Sequence, residues 1–185
     1  MNRLILCIML GISFSACKGK KKEKTNPYFS VVSYLQGQAK QIDTSLYHFV
    51  KIETIDSTTD TTSISKEDFR NYAKDFLTIP DISSEEKKDN YKEDNSYDDL
   101  LNNILLTYTT NDPDEEVRRE TIMLEPDDLG NSKIKTIIIN RIQTGKDSTI
   151  EKDLTWHVAK RFQVVTKIQK GNQPEKIKIL VVKWE

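Results

Sequence analysis

Two amphipathic helical segments followed by a long series of short strands predict an α+β fold. Its expected form is two N-terminal helices packed on a curved antiparallel meander sheet of about six to seven strands. Three observations carry this expectation. Apolar residues recur at helical spacing from Tyr28 to Asp43 and again from Phe69 to Leu77. Beyond Leu100 the chain alternates with period two and is rich in β-branched residues. The turn signals between those segments leave connections too short for parallel crossovers, so neighbouring strands must run antiparallel.

From Pro27 onward, Tyr28, Val31, Val32, Leu35, Ala39 and Ile42 place an apolar stripe on one face of a first helix. Gly37 lies inside it at a cost of about 1 kcal/mol relative to alanine, which suggests close packing there. Leu46 to Ile55 reads as a strand with His48 on the same face as Leu46, Val50 and Ile52, half-buried. The polar run Asp56 to Ser63 reads as a connection. Ser65 then caps a second helix, with Asp68 three residues on to complete a capping box. Pro80 stops that helix by pushing the preceding residue out of helical geometry.

Asp81 to Asp99 holds eight acids and three lysines with few apolar residues, and it reads as a mobile acidic loop. Glu85, Glu86, Asp98 and Asp99 are its candidate partner-binding residues. Strands follow over about 104–108, 117–124, 133–142, 150–158, 162–168 and 176–184. Two of them depart from simple alternation. Ile137-Ile138-Ile139 and Ile179-Leu180-Val181-Val182 are apolar on both faces, which a sheet with one wet face does not need. Something must cover the second face, and a ligand or a partner would do so as well as sheet curvature. Ile137, Ile139, Leu180 and Val182 are therefore the candidate lining of a ligand trough.

The 185 residues carry 28 Lys+Arg against 29 Asp+Glu, too balanced for a strongly basic nucleic-acid binder. That balance is a cancellation. After Met1-Asn2-Arg3 comes an apolar run from Leu4 to Phe14, then Ser15-Ala16-Cys17. One positive charge, a short apolar segment and a small-residue exit form a secretory signal pattern. The run is well below the roughly 20 residues of a membrane span. Phe14-Ser15-Ala16-Cys17 resembles the lipobox of bacterial lipoproteins, with Phe14 where that family usually has leucine. The resemblance covers the leader alone. It implies cleavage before Cys17, acylation of its sulfur, and a membrane partner engaged through the lipid anchor.

The resulting organisation is a signal peptide over 1–16, a lipidated Cys17 with a Lys-rich tether over 17–25, and an α+β domain over 26–185. Five lysines and one glutamate follow Cys17 directly, a solvated spacer that also suits an anionic leaflet. Lipoproteins of related type that cross to the cell surface often carry an acidic run after the cysteine. With a basic run here, the resemblance implies an anchor in the outer membrane facing the periplasm, with the inner membrane's outer leaflet and the cell surface as alternatives. The domain beyond the tether keeps 22 basic and 28 acidic side chains, net −6.

Catalytic patterns are scarce. His48 and His157 are the two histidines, far apart in sequence, and neither has zinc-ligand spacing. Cys7 leaves with the leader, so acylation of Cys17 would leave no thiol nucleophile. No glycine-rich phosphate loop is present, and Asp112, Asp114, Glu115 and Glu116 lack the rhythm of a calcium loop. No metal and no cofactor is expected. Trp156 and Trp184 are in phase with aliphatic neighbours and read as core rather than as a sugar-stacking platform. Two function classes stay open: an envelope binding or assembly module with a protein partner, and a carrier or sensor of an apolar ligand. Both are non-enzymatic.

Overall fold

A computed structural model describes residues 28–185; the signal segment, Cys17 and the Lys-rich tether lie outside them. Helix α1 spans Val31–Asp43. It starts after Ser30, whose Oγ accepts a hydrogen bond from the Ser33 amide and so satisfies an orphan donor of the first turn. Tyr28 and Phe29, expected to belong to the helix, instead cross towards the sheet. The Tyr28 ring lies 4.8 Å from that of Tyr108, and the Phe29 amide donates to the Tyr108 hydroxyl.

The hairpin β1 (Phe49–Ile55) and β2 (Thr58–Ile64) follows α1. Asp56, at φ 54°, takes the left-handed conformation that a two-residue hairpin turn needs. Helix α2 spans Lys66–Leu77 and begins with the capping box of Ser65 and Asp68. It presents Phe69, Ala73 and Phe76 to the sheet, all fully buried. Asp43 and Arg70 join α1 to α2 as an ion pair, and Gln36 donates to the Leu77 carbonyl at 3.0 Å.

Seven further strands are β3 (Lys92–Asp98), β4 (Asn103–Thr109), β5 (Val117–Pro126), β6 (Ser132–Thr144), β7 (Ser148–His157), β8 (Arg161–Lys170) and β9 (Lys176–Trp184). Together they form one open nine-stranded sheet in the order β2-β1-β9-β8-β7-β6-β5-β4-β3, with every neighbour antiparallel. The fold class is therefore α+β as expected, with nine strands rather than six to seven.

The two additional strands are the sheet's edges. β2 lies where the sequence predicts a polar connection, because Thr58 to Ser63 offers no apolar face. β3 falls inside the expected acidic loop, for the same reason. Each pairs with its single neighbour mainly through the backbone, β2 adding a Thr54–Thr59 hydroxyl contact of 3.0 Å to β1. Polar side chains on an edge strand disfavour recruitment of another chain. The rest of the acidic stretch is pinned by Ile82 and Tyr91, both buried. Asp81 accepts from Ser30 Oγ at 2.7 Å and from the amide and hydroxyl of Ser83. Farther on, Glu115 accepts from Lys87 and Asn90.

The register places one continuous row across the helix-covered face: Ile122, Ile137, Trp156, Phe162 and Val182. A parallel row runs Tyr108, Glu120, Ile139, Leu154, Val164 and Leu180. The Phe69 ring of α2 lies 5.0–6.4 Å from Phe49, Phe162, Trp184 and Trp156, and Phe76 lies 5.3 Å from both Trp156 and Phe162. This aromatic cluster occupies the space in which a trough was expected. Ile137, Ile139, Leu180 and Val182 are all buried beneath it. They are core residues and line no opening, because the helices took the face to which they point. Gly37 is also reassigned: it is exposed, and a Cβ built on it meets nothing within 4 Å.

Candidate functional site

Successive residues of a strand point to opposite faces, so the doubly apolar segments leave half of their side chains on the helix-free face. On β9 these are Ile177, Ile179 and Val181, followed by Lys183. The pairings set Ile52 of β1 beside Val181, and Val165 of β8 beside Ile179. These side chains are half-buried, apart from the more exposed Ile177. Ile138 stands farther along the same face on β6. A strip of aliphatic surface thus follows β9 on the side that neither helix covers.

At its upper end the strip opens into a groove of about 590 Å³. Val50 and Ile52 contribute apolar lining, and Trp184 borders the groove while its ring points to the helix side. The Trp184 ring packs edge-on against Phe69 at 5.4 Å, only 4% of the residue is exposed, and its indole N–H has no hydrogen-bond acceptor. Glu185 and His48 exchange backbone hydrogen bonds and extend the β1–β9 ladder to this end. The remaining lining comes from the β7–β8 turn and the end of β9: Ala159, Lys160, Arg161 and Lys183. Ala159 sits at φ 58°, in the left-handed region that favours glycine. The turn holds that conformation through Lys160, whose amide bonds to the His157 carbonyl and whose carbonyl accepts from the Trp184 amide.

Lys160, Arg161 and Lys183 have no ion-pair partner among the described residues, although the domain as a whole is acidic. Arg161 and Lys183 are direct cross-strand neighbours, and His157 stands opposite Arg161. The unbalanced charge shows on His157. Partial burial lowers its pKa first, and the fields of Arg161 and Lys160 lower it further. Its Nδ1 lies 3.2 Å from Thr136 Oγ1. Among the described residues no carboxylate is hydrogen-bonded to it, as a catalytic dyad would require.

His48 is exposed, not half-buried, and Leu46 before it is fully exposed. The core takes Phe49 instead, because the strand's phase is set by Phe49 packing on Phe69. His48 Nε2 makes a contact of 3.5 Å to Ser63 Oγ. A second groove of about 600 Å³ lies on the same face between β4 and β7. It is polar, lined by Thr109, Asn111, Arg119, Asn140 and Asp153 above Ile138.

The acidic candidates are not brought together. Glu85 is ion-paired with Lys88 at 2.9 Å and Glu86 is exposed, both ahead of β3. Asp98 and Asp99 follow at the far end of that strand. There Asp98 Oδ1 accepts from the amides of Leu100 and Leu101 and closes the β3–β4 turn. Asp112 likewise caps its own turn, accepting from the Asp114 amide at 2.9 Å. Glu116 pairs with Arg141, and Arg141 and Lys152 share Asp75 of α2. Among the described residues no group of His, Cys, Asp and Glu is placed to hold a metal ion, and no helix is long and apolar enough to cross a membrane.

One acid escaped the sequence reading altogether. Glu120 is 1% exposed in the helix-side row between Tyr108 and Ile139, and its Oε2 has no hydrogen-bond partner. Burial, and then the charge of Asp81, raise its pKa from 4.5 to about 8. It lines neither groove of the helix-free face. Alternation on β5 was the available signal, since Glu120 is in phase with Ile122 and Leu124, both of which pack in the core.

Comparison with protein-family models, with curated proteins and with solved structures yields no match.

Proposed function

We propose that this protein is a lipid-anchored binding module of the cell envelope, held to the outer membrane on its periplasmic side and without catalytic activity. Its binding surface is the helix-free face of the sheet. The observation that carries this reading is the uncovered aliphatic strip along β9, which ends in a groove rimmed by unpaired cations. A sheet that needed only a core has no use for Ile177, Ile179 and Val181 beside Leu180 and Val182. The anchor follows from Phe14-Ser15-Ala16-Cys17 and the Lys-rich tether. Two or more acyl chains hold a protein stably to a bilayer where one does not.

The test compares what wild type and Val181→Asp retain when each is extracted from its native membrane, by mass spectrometry of the bound fraction. A species kept by wild type and lost from the variant is the expected result. Equal retention would remove the face from the account. Metabolic labelling with palmitate is expected to mark wild type and to spare Cys17→Ser; label retained in the variant would exclude acylation at Cys17.

A further inference from the structure

We infer that the groove and the strip beneath it bind a single-chain amphiphile with an anionic head, a carboxylate or a phosphate monoester. The inference rests on the reading of the helix-free face as the binding surface. Ile177 and Lys183 lie six positions apart on β9, so the strip is about 20 Å long at the rise of an antiparallel strand. Ile52 of β1 widens it on one side beside Val181 and Val165 of β8 on the other beside Ile179, each by one strand spacing of about 5 Å. That is the footprint of one extended alkyl chain.

The strip has a direction. At its lower end Lys167, the cross-strand neighbour of Ile177, is neutralised by Asp153 at 3.3 Å and by Glu151 at 3.6 Å. At its upper end Lys160, Arg161 and Lys183 remain without ion-pair partners, and Glu185 is the one acidic side chain in the groove lining. An acyl chain laid on Ile179, Val181 and Val165 would therefore bring its head group to uncompensated cations and leave its tail among paired charges. Arginine at that end also suits carboxylate and phosphate geometry, since its fork donates two parallel bonds. A site with mostly apolar contact and a few convergent polar groups is the usual constitution of a small-molecule site. The strip's apolar side chains are all aliphatic, with Thr54 and Gln163 at its margins, so its chemistry favours a chain over a flat aromatic ligand.

The experiment uses the full chain carrying Cys17→Ser, so that no acyl anchor competes for the site. Laurate, lauroyl glycerol phosphate, dodecyltrimethylammonium and acetate are titrated below their micellar concentrations by calorimetry, with tryptophan fluorescence as a second readout. Laurate or lauroyl glycerol phosphate is expected to saturate one site, and which of the two binds more tightly assigns the head group. Acetate should not bind measurably, and the cationic amphiphile should bind at least tenfold more weakly. The double variant Arg161→Glu/Lys183→Glu should lose at least tenfold in affinity with an unchanged circular dichroism spectrum.

Equal affinity for the cationic amphiphile, or no loss in the double variant, overturns the inference. So does failure of both anionic probes to bind. If both fail while Val181→Asp still loses the species retained from the native membrane, the ligand class is wrong and the face is right. If that retention is also unaffected, the face falls with it.

Discussion

Replacing Glu120 with glutamine isolates the cost of a carboxyl group placed in the core. The folded domain holds Glu120 protonated up to about pH 8, whereas the unfolded chain releases the proton near 4.5. A carboxyl raised by folding leaves stability undiminished below the unfolded value and removes it progressively as pH climbs towards the folded one. Each pH unit in that window costs about 1.4 kcal/mol. Between pH 5 and pH 7.5 the wild-type domain should lose about 3 kcal/mol that Glu120→Gln does not lose. For a domain of this size that is about 6–12 °C in melting temperature.

Glutamine brings its own cost, because its amide adds a donor to a site that already leaves Oε2 without a partner. That cost is the same at both pH values and cancels in the comparison. The assay is urea or thermal unfolding of both proteins at pH 5 and pH 7.5. A stability difference that stays constant between the two pH values would refute the placement of Glu120 as a neutral buried acid.

Gly37→Ala fills open solvent on an exposed helix position, so it should stabilise by about 0.5–1 kcal/mol in urea unfolding. A loss of stability would mean that the site is packed after all. Ser65→Ala removes one half of the α2 capping box and should cost about 1 kcal/mol, seen as a lowered denaturation midpoint with unchanged m-value. Phe69→Ala opens a cavity at the ring that touches Phe49, Trp156, Phe162 and Trp184. It should cost about 3–5 kcal/mol, and a cost below 1 kcal/mol would show that the helix-side cluster is not the centre of the core.

Much of the architecture was legible because local signals and packing agree. The α2 cap at Ser65, its Phe69/Ala73/Phe76 face and the stop before Pro80 follow from spacing and side-chain chemistry within a dozen residues. Trp156 and Trp184 were placed in the core by phase with Leu154 and Val182. The edge strands were not legible, since β2 and β3 bury almost nothing and owe their conformation to a backbone partner. β2 finds that partner nearby in β1, but its threonines and Asp60 carry no face to announce it. On β1 the alternation of apolar residues is nearly symmetric, and only Phe69, far along the chain, decides that Phe49 faces inward and His48 outward.

The candidate site was half legible for the same reason. Ile137–Ile139 and Ile179–Val182 announce two apolar faces, but strand periodicity does not say which face receives the helices. Assigning the trough to Ile137, Ile139, Leu180 and Val182 was therefore one residue out of phase with the surface that stays open. The cationic rim was beyond reach for a topological reason. Arg161 and Lys183 meet only when β8 pairs with β9, and Val50 joins them only because the first strand of the chain pairs with the last.

The claim that the helix-free face is where this protein binds is tested most directly by site-specific photo-crosslinking in living cells. A benzophenone amino acid is placed at Val181, on the β9 strip, and separately at Glu86, in the acidic segment. The account predicts a defined adduct from Val181, resolved by mass shift of the purified protein, and none of comparable yield from Glu86. Adducts confined to Glu86, with Val181 silent, would contradict it.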